Sequence, residues 1–194
     1  FCDILQSNPK KKKDMISRHQ GLKNTPCVIE HVFSATRFKL RIDKTTCYIP
    51  FKLVGLKSVE KDKNNSTQLE DFNMQGVNYA SDLFLQRSGF CDIVQCDKTG
   101  NYFGMLTVNG VNVGSDVVKA GHAVVFNPQK NVLPNDYRKN EELASRQKLG
   151  IWSSEGLNSI LCEGEVETGN SKSNQEIKYE TKKKHIKLRV TDMV

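Results

Sequence analysis

The stretch from Cys27 to Ile42 reads CVIEHVFSATRFKLRI, and it decides the fold because it carries the pattern of two successive β-strands. In its second half Phe38 and Leu40 alternate strictly with cations, so this half predicts a strand with one apolar and one charged face. The first half is apolar at both odd and even positions, which predicts a strand that is covered on both sides. The stretch therefore predicts a strand pair at the start of a β-rich domain.

Three more strand signals follow along the chain. Residues 47–56 form an apolar run in which Pro50 indicates an edge or a bulge. Residues 90–96 and 102–108 predict strands joined by a turn at 97–101. The pair Asn109-Gly110 predicts a two-residue hairpin turn with positive φ at both positions.

Helices are predicted between and around these strands. They cover residues 8–20, 73–87, 113–120 and 135–149, with a loop at 59–71 and a short strand at 122–126. Five or six strands with inserted helices predict a mainly β, α+β fold. We expect a five-stranded Greek-key barrel of the oligonucleotide-binding (OB) type.

The basic charge is uneven and suggests three segments. The net charge is +7, and more than half of it lies in residues 1–26, which contain six Lys and Arg residues but only two Asp residues. We expect a basic connector and helix at 1–26, the barrel domain at 27–162, and a charged linker with a new alternating strand at 163–194. No run approaches the roughly 18 apolar residues of a membrane helix, so no membrane partner is expected.

Six cysteines stand in the chain without any CxxC spacing. In a regular strand, Cys91 and Cys96 would point to opposite faces, because their separation is odd. Such thiols would neither pair nor share a metal ion. We expect buried or idle thiols in a reducing compartment, and no metal site.

The order of these pieces resembles the staphylococcal-nuclease-like domain over residues 27–153. The matching pieces are Val32 to Leu40, Phe51 to Leu56, DKTGN at 97–101, Asn109-Gly110, VVKAGHA at 117–123 and KLGIW at 148–152. Within that family, His31 to Ser34 and Thr45 to Cys47 resemble the fourth nuclease-like repeat of Tudor-SN proteins. Residues 187–192 resemble the approach to the following Tudor domain, and the helix at 8–20 resembles the connector from a preceding repeat.

The resemblance implies that the chemistry of the family is lost here. Active members use a calcium ion held by two aspartates, a glutamate that activates water, and two arginines that neutralise the phosphate. In this match the catalytic groups of the family are lost at six positions, which are Ser34, Thr36, Pro50, Gly55, Ser58 and Asn101. We therefore predict no catalytic residue and no cofactor, calcium included.

With catalysis lost, the function that the sequence still supports is recognition of a phosphate backbone. Arg37, Lys39 and Arg41 would project from one strand face at intervals of about 6.6 Å, as a row that follows RNA. The lysine arm would add an electrostatic clamp, and it consists of Lys10, Lys11, Lys12 and Lys13. The plainer interpretations are an ordinary charged strand face and a solvated connector. His122, Phe126 and Trp152 are interpreted as structural.

The resemblance implies an RNA-binding and scaffolding module of RNA-silencing and transcription-coactivator assemblies. The expected partners are structured or double-stranded RNA, protein components of RNA-processing complexes, and the neighbouring repeats and Tudor domain of the same chain. The expected location is the cytoplasm and also the nucleus. Two alternative functions stay open. The domain contributes to a nuclease that is active in the full-length protein, or it is purely a protein-interaction module.

Overall fold

The computed structural model describes residues 2–3, 7, 9–45, 47–60, 67–126, 134 and 136–153. These residues all lie in one compact unit, residues 1–164. Residues 61–66 of the predicted loop at 59–71, the linker and the last predicted strand lie outside the described residues. The three-segment division therefore stays a prediction.

The described residues form nine strands, four α-helices and two short 3₁₀ turns. The strands are β1 (Cys2–Asp3), β2 (Thr25–Ser34), β3 (Arg37–Ile42), β4 (Cys47–Leu53), β5 (Leu56–Lys57), β6 (Ser88–Cys96), β7 (Tyr102–Val108), β8 (Val111–Asn112) and β9 (Val124–Val125). The helices are α1 (Pro9–His19), α2 (Thr67–Phe84), α3 (Val113–Lys119) and α4 (Asp136–Arg146), and the 3₁₀ turns are Asp43–Thr45 and Gly150–Ser153.

Five strands close into a barrel. The main sheet runs β1-β4-β3-β2-β6-β7-β8, and a further parallel pairing of β4 with β7 closes the five strands from β4 to β7 in this order into a ring. The inward side chains of β3 and β4 fill the interior, among them the fully buried Phe38, Leu40, Ile49 and Phe51. The predicted OB-type barrel with inserted helices is confirmed.

Strand β2 changes face in its middle. Its register against β3 shifts between Ile29 and His31, and again between Val32 and Ser34. The first shift is a bulge, so burial moves from Cys27 and Ile29 to Val32 and Ser34. This change of face explains why the sequence of β2 is apolar at both odd and even positions. It also turns the side chains of His31 and Phe33 out to the surface.

A second irregularity overturns the prediction for the cysteines of β6. The register against β7 shifts between Ile93 and Gln95, which adds one residue before Cys96. Cys96 therefore packs partly against the core, on the same side as Cys91, and not on the opposite face. Cys27, Cys47 and Cys91 are buried free thiols, as predicted.

Pro50 lies neither at an edge nor in a bulge, so that prediction was wrong. It faces Lys39 in a regular pairing of β3 with β4, in the interior of the sheet. On its other side β4 pairs first with β1, at residues 47–48, and then with β7, at residues 51–53. Pro50 occupies the gap between these two partners, where a missing N–H costs no ladder hydrogen bond.

Two turn predictions are confirmed. Asn109 and Gly110 both have positive φ, of 51° and 78°, and they join β7 to β8. Gly121, with φ of 78°, follows helix α3 as its predicted stop. Helix α4 ends earlier than predicted, at Arg146, and Lys148 takes the left-handed conformation (φ 53°) ahead of Gly150.

Helix α2 begins at Thr67, six residues before its predicted start. Its first turns are held by packing, because Leu69 and Phe72 contact a small apolar cluster of Val59, Val124 and Ile151. Trp152 packs against the same cluster, which confirms its structural role. Among the described residues, no helix has both the length and the apolar character needed to cross a membrane.

Helix α1 is fixed to the barrel by its buried face. Met15 is buried in the main core, with Ile16 packed beside it. At its last residue, His19 places Nδ1 3.2 Å from the Tyr102 hydroxyl and Nε2 3.0 Å from Oγ1 of Thr45. The basic helix is therefore docked against β7 and the turn after β3.

Two buried histidines make stability depend on pH. Burial, with a smaller contribution from Arg18, lowers the pKa of His19 below 6.5, and burial lowers the pKa of His122 in the same way. His122 packs on Tyr79 at 4.8 Å, and its Nδ1 is buried with no hydrogen-bond partner among the residues that the structure describes. Since the unfolded chain takes up these protons more readily, stability is full above pH 6.5 and falls as the pH drops below it.

We predict that replacing His122 with Leu reduces this loss of stability on acidification. The melting temperature at pH 7.5 should change little, because an unpaired buried nitrogen is exchanged for an apolar group of similar size. Thermal unfolding followed by circular dichroism between pH 7.5 and 5.5 measures the effect. His31→Gln, at an exposed position, is the control, and equal pH dependence in His122→Leu and the parent would contradict the prediction.

Candidate nucleic-acid interface

Three hydroxyl side chains meet where the β2–β3 hairpin approaches the segment after β5. The Ser58 hydroxyl donates to Ser34 Oγ at 3.0 Å and shares a hydrogen bond of 2.8 Å with Thr36 Oγ1. The Thr36 backbone N–H also donates to Ser34 Oγ at 3.3 Å. All three side chains are buried, at 1%, 3% and 7% exposure for Ser34, Thr36 and Ser58. We call these three residues the hydroxyl cluster.

The hydroxyl cluster does not fit a calcium ion. Calcium takes six to eight oxygen ligands, several of them carboxylates, whereas these hydroxyls are neutral and already bonded to one another. Glu60 lies beside the cluster, but Lys52 at 3.0 Å and Arg37 at 3.6 Å hold its carboxylate. Among the described residues, no three His, Cys, Asp or Glu side chains are grouped as metal ligands.

The other positions matched to the family's catalytic motifs have structural roles. Gly55 has φ of 69° in the turn between β4 and β5, a conformation that favours glycine. Asn101 closes the turn at 97–101, since its backbone N–H and side-chain amide both donate to Asp97 at 2.8 Å. Pro50 fills the gap in the β4 ladder described above. Gly55, Asn101 and Pro50 therefore each support the turn or strand in which they lie.

A groove of about 380 Å³ runs beside the hydroxyl cluster, between β2 and α2. On one wall the Arg37 guanidinium lies 5.3 Å from the centre of the Phe33 ring, and His31 meets the same ring edge-on at 4.6 Å. Met74 and Val77 of α2 form the other wall. Phe33 and His31 were not selected from the sequence, because only the bulge in β2 turns them outward.

The predicted row of cations lies on the outer face of β3, but each member already has a carboxylate partner. Arg37 pairs with Glu60 at 3.6 Å. Lys39 pairs with Asp3 at 2.7 Å. Arg41 pairs with Glu30 at 2.8 Å and with Asp43 at 3.4 Å. A phosphate group would have to displace these carboxylates, so binding of nucleic acid by the row stays a prediction.

The lysine arm lies on helix α1 and converges with another element. Lys10 and Lys13 are exposed, Lys12 is half-buried, and the side chain of Lys11 lies outside the described part of the chain. Lys12 and Lys13 line a pocket of about 500 Å³ together with Ile16, Cys96, Asp97 and Lys98. We call this the lysine pocket. Lys98 was quoted from the sequence as part of a turn motif but was not predicted to bind.

The electrostatics of the lysine pocket are set by Asp97 and Lys12. Burial alone would raise the pKa of Asp97, but hydrogen bonds from Asn101, Thr99 and the turn backbone hold it below its ordinary value. Burial and the Asp97 charge raise the pKa of the Cys96 thiol to about 11, and the nearby Lys12 opposes that rise. The thiol is therefore neutral at physiological pH, and the carboxylate is ionised.

Comparisons with known proteins match this architecture. A family model described as staphylococcal nuclease homologue matches residues 50–154, which is more than half of the chain. Ribonuclease TUDOR 1 of Arabidopsis thaliana is 28% identical over 198 residues, covering 100% of this chain and 18% of the relative.

Two further relatives carry the name Staphylococcal nuclease domain-containing protein 1. The one from Schizosaccharomyces pombe is 27% identical over 145 residues, covering 73% of this chain and 16% of the relative. The one from Drosophila melanogaster is 24% identical over 159 residues, covering 78% and 17%. The chain thus spans less than a fifth of the length of these relatives.

We predict that Ser58→Ala destabilises the barrel by about 1–3 kcal/mol. The hydroxyl of Ser58 bonds to both other members of the hydroxyl cluster, so its removal leaves two buried oxygens short of a partner. Urea unfolding measures the change. Ser145→Ala, at an exposed position of α4, is the matched control and should stay within about 0.5 kcal/mol of the parent. Equal effects of the two substitutions would show that the cluster does not stabilise the fold.

Proposed function

The chain belongs to the staphylococcal nuclease homologue family, and from this premise we propose that it binds RNA and scaffolds RNA-handling complexes without cleaving nucleic acid. The family and the named relatives also support a nuclease-like domain in a Tudor-SN protein. Its position as the fourth repeat, a role in RNA-silencing and transcription-coactivator assemblies, and a place in the cytoplasm and nucleus belong to the same proposal.

The observation that carries the loss of cleavage is the hydroxyl cluster. Hydrolysis of a phosphodiester by the calcium-dependent route needs ionised carboxylates to hold the cation and to activate water. Ser34, Thr36 and Ser58 are neutral, buried and satisfied by one another. The hydroxyl cluster therefore supplies neither the ionised ligands that hold the cation nor the base that activates water.

Binding to RNA is supported by the fold and by the distribution of charge. Nuclease-like and OB-type barrels present an open face and loops to nucleic acid. The net charge of +7 favours association with a polyanion. The groove beside β2 adds the partly exposed Phe33 ring, with Arg37 stacked on it. Contacts to the phosphate backbone of RNA recognise its shape and not its base sequence.

We predict that calcium does not stimulate cleavage by this chain. The 194-residue protein is incubated with end-labelled single-stranded DNA and RNA, with millimolar calcium or with chelator, and the products are separated on a denaturing gel. An active member of the family is the positive control. The rates should be equal in both conditions. Calcium-dependent cleavage that co-elutes with the protein during purification would refute the proposal that the chain is non-catalytic.

We predict that RNA binding weakens with salt and that the β3 row contributes little to this dependence. Each phosphate neutralised adds about 0.7–0.9 to the log–log salt slope. The row is already paired with carboxylates, so replacing Arg37, Lys39 and Arg41 by Gln should flatten the slope by less than about one unit. Fluorescence anisotropy at several salt concentrations measures it. A decrease of two to three units would show that the row itself binds phosphate, and absence of any RNA binding would favour a protein-interaction module.

A further inference from the structure

We propose that the lysine pocket, between helix α1 and the turn at 97–101, binds a phosphate group of RNA through Lys12, Lys13 and Lys98. The inference rests on the proposed RNA-binding function and names the surface that carries it. The pocket is formed by two elements that lie about eighty residues apart in sequence, so no single motif reveals it.

The backbone under the pocket is held in place from both sides. Met15 and His19 anchor α1 to the core, which fixes where Lys12 and Lys13 project. On the other side, Gly100 has φ of 90°, and a Cβ at this position would collide with the Lys12 side chain. The absence of a side chain at Gly100 lets Lys12 lie directly over the turn. The three lysines therefore line the pocket from two elements whose backbone is fixed.

The charge of this pocket is not neutralised within the described part of the chain. None of the ion pairs found there involves Lys12, Lys13 or Lys98, in contrast to the three cations of the β3 row. The pocket does contain one ionised carboxylate, Asp97, which offsets one of the three positive charges, and the turn uses both of its oxygens as hydrogen-bond acceptors. Oδ1 accepts from the Thr99 hydroxyl at 2.7 Å and from the Asn101 N–H at 2.8 Å, and Oδ2 accepts from the Asn101 amide at 2.8 Å.

The chemistry of the pocket selects a group that only accepts hydrogen bonds. Each lysine ammonium offers three donors and no acceptor. A phosphate oxygen accepts from such donors in charge-assisted bonds, and the partly buried Ile16 and Cys96 beneath it reduce screening by water. An acidic peptide would bring backbone N–H groups as well, and the occupied Asp97 leaves no free carboxylate for them. A phosphate of a nucleic-acid strand is therefore the better match.

The test compares two variants that lose the same number of charges. Lys12, Lys13 and Lys98 are replaced by Gln in the 194-residue chain. The matched control replaces the exposed Lys119, Lys139 and Lys148, which lie on or just after α3 and α4. Circular dichroism verifies the fold of each, and Lys98→Gln alone serves if the triple pocket variant is unfolded. Binding of a 3′-labelled single-stranded RNA is followed by fluorescence anisotropy from low to physiological salt.

We expect the pocket variant to bind roughly tenfold more weakly than the control, with a salt slope flatter by about two units. The RNA is used with a 5′-phosphate and with a 5′-hydroxyl. A loss confined to the phosphorylated RNA assigns the pocket to a terminal phosphate, and equal losses assign it to the backbone, so that either result supports the proposal.

Other results overturn the proposal. If the parent binds RNA and the pocket variant binds no more weakly than the control, the lysine pocket is wrong while the proposed function stands. If the pocket substitutions weaken the binding of labelled polyglutamate but leave the binding of RNA equal to that of the control, the pocket binds an acidic protein instead. If the parent binds no RNA even at low salt, both this inference and the proposed function are wrong.

Discussion

The parallel pairing of β4 with β7 is the contact on which the rest of the structure depends, since it turns an open sheet into a barrel. Phe51 meets Tyr102 and Leu53 meets Gly104 in this pairing. Gly104 has no side chain here, and a Cβ at this position would come within 3.0 Å of the Phe51 ring of β4 and would collide with the Asp92 carbonyl oxygen of β6. Once closed, the barrel presents the Tyr102 hydroxyl to helix α1, and the Gly104 carbonyl accepts from the N–H of Val54. Closure thus positions both sides of the candidate interface.

Local patterns were enough to predict the barrel but not its irregularities. The alternation along β3 and the pair Asn109-Gly110 depend on residues next to each other, and both predictions hold. The bulges in β2 and β6 arise from pairing with distant strands, so no pattern within either strand reveals them. The early start of α2 has the same origin, because its first turns are stabilised by Val124 and Ile151, more than fifty residues away.

The candidate site shows the same limit for charge. A sequence shows where cations stand but not which carboxylates meet them, and the partners of the β3 row come from other elements, such as Asp3 for Lys39. Lys98 is the opposite example. The adjacent Asp97 suggests an ion pair with Lys98, but the Asp97 carboxylate accepts hydrogen bonds within its own turn instead. By resemblance, the sequence predicts that the positions of the hydroxyl cluster have lost the carboxylates of the family, and this stays a prediction. The mutual hydrogen bonding of the cluster required the folded structure.

The docking of α1 also has a consequence for the order of events during synthesis. His19 waits for Tyr102, a partner 83 residues further along the chain. Until β7 leaves the ribosome, His19 lacks its Tyr102 partner and residues 51–53 of β4 lack the strand with which they pair. Contacts between residues so far apart in sequence form slowly, because closing the long loop between them first costs conformational entropy. The nascent chain therefore passes through a stage with an unpaired strand edge. At that stage it is most prone to aggregation, and chaperones are most needed.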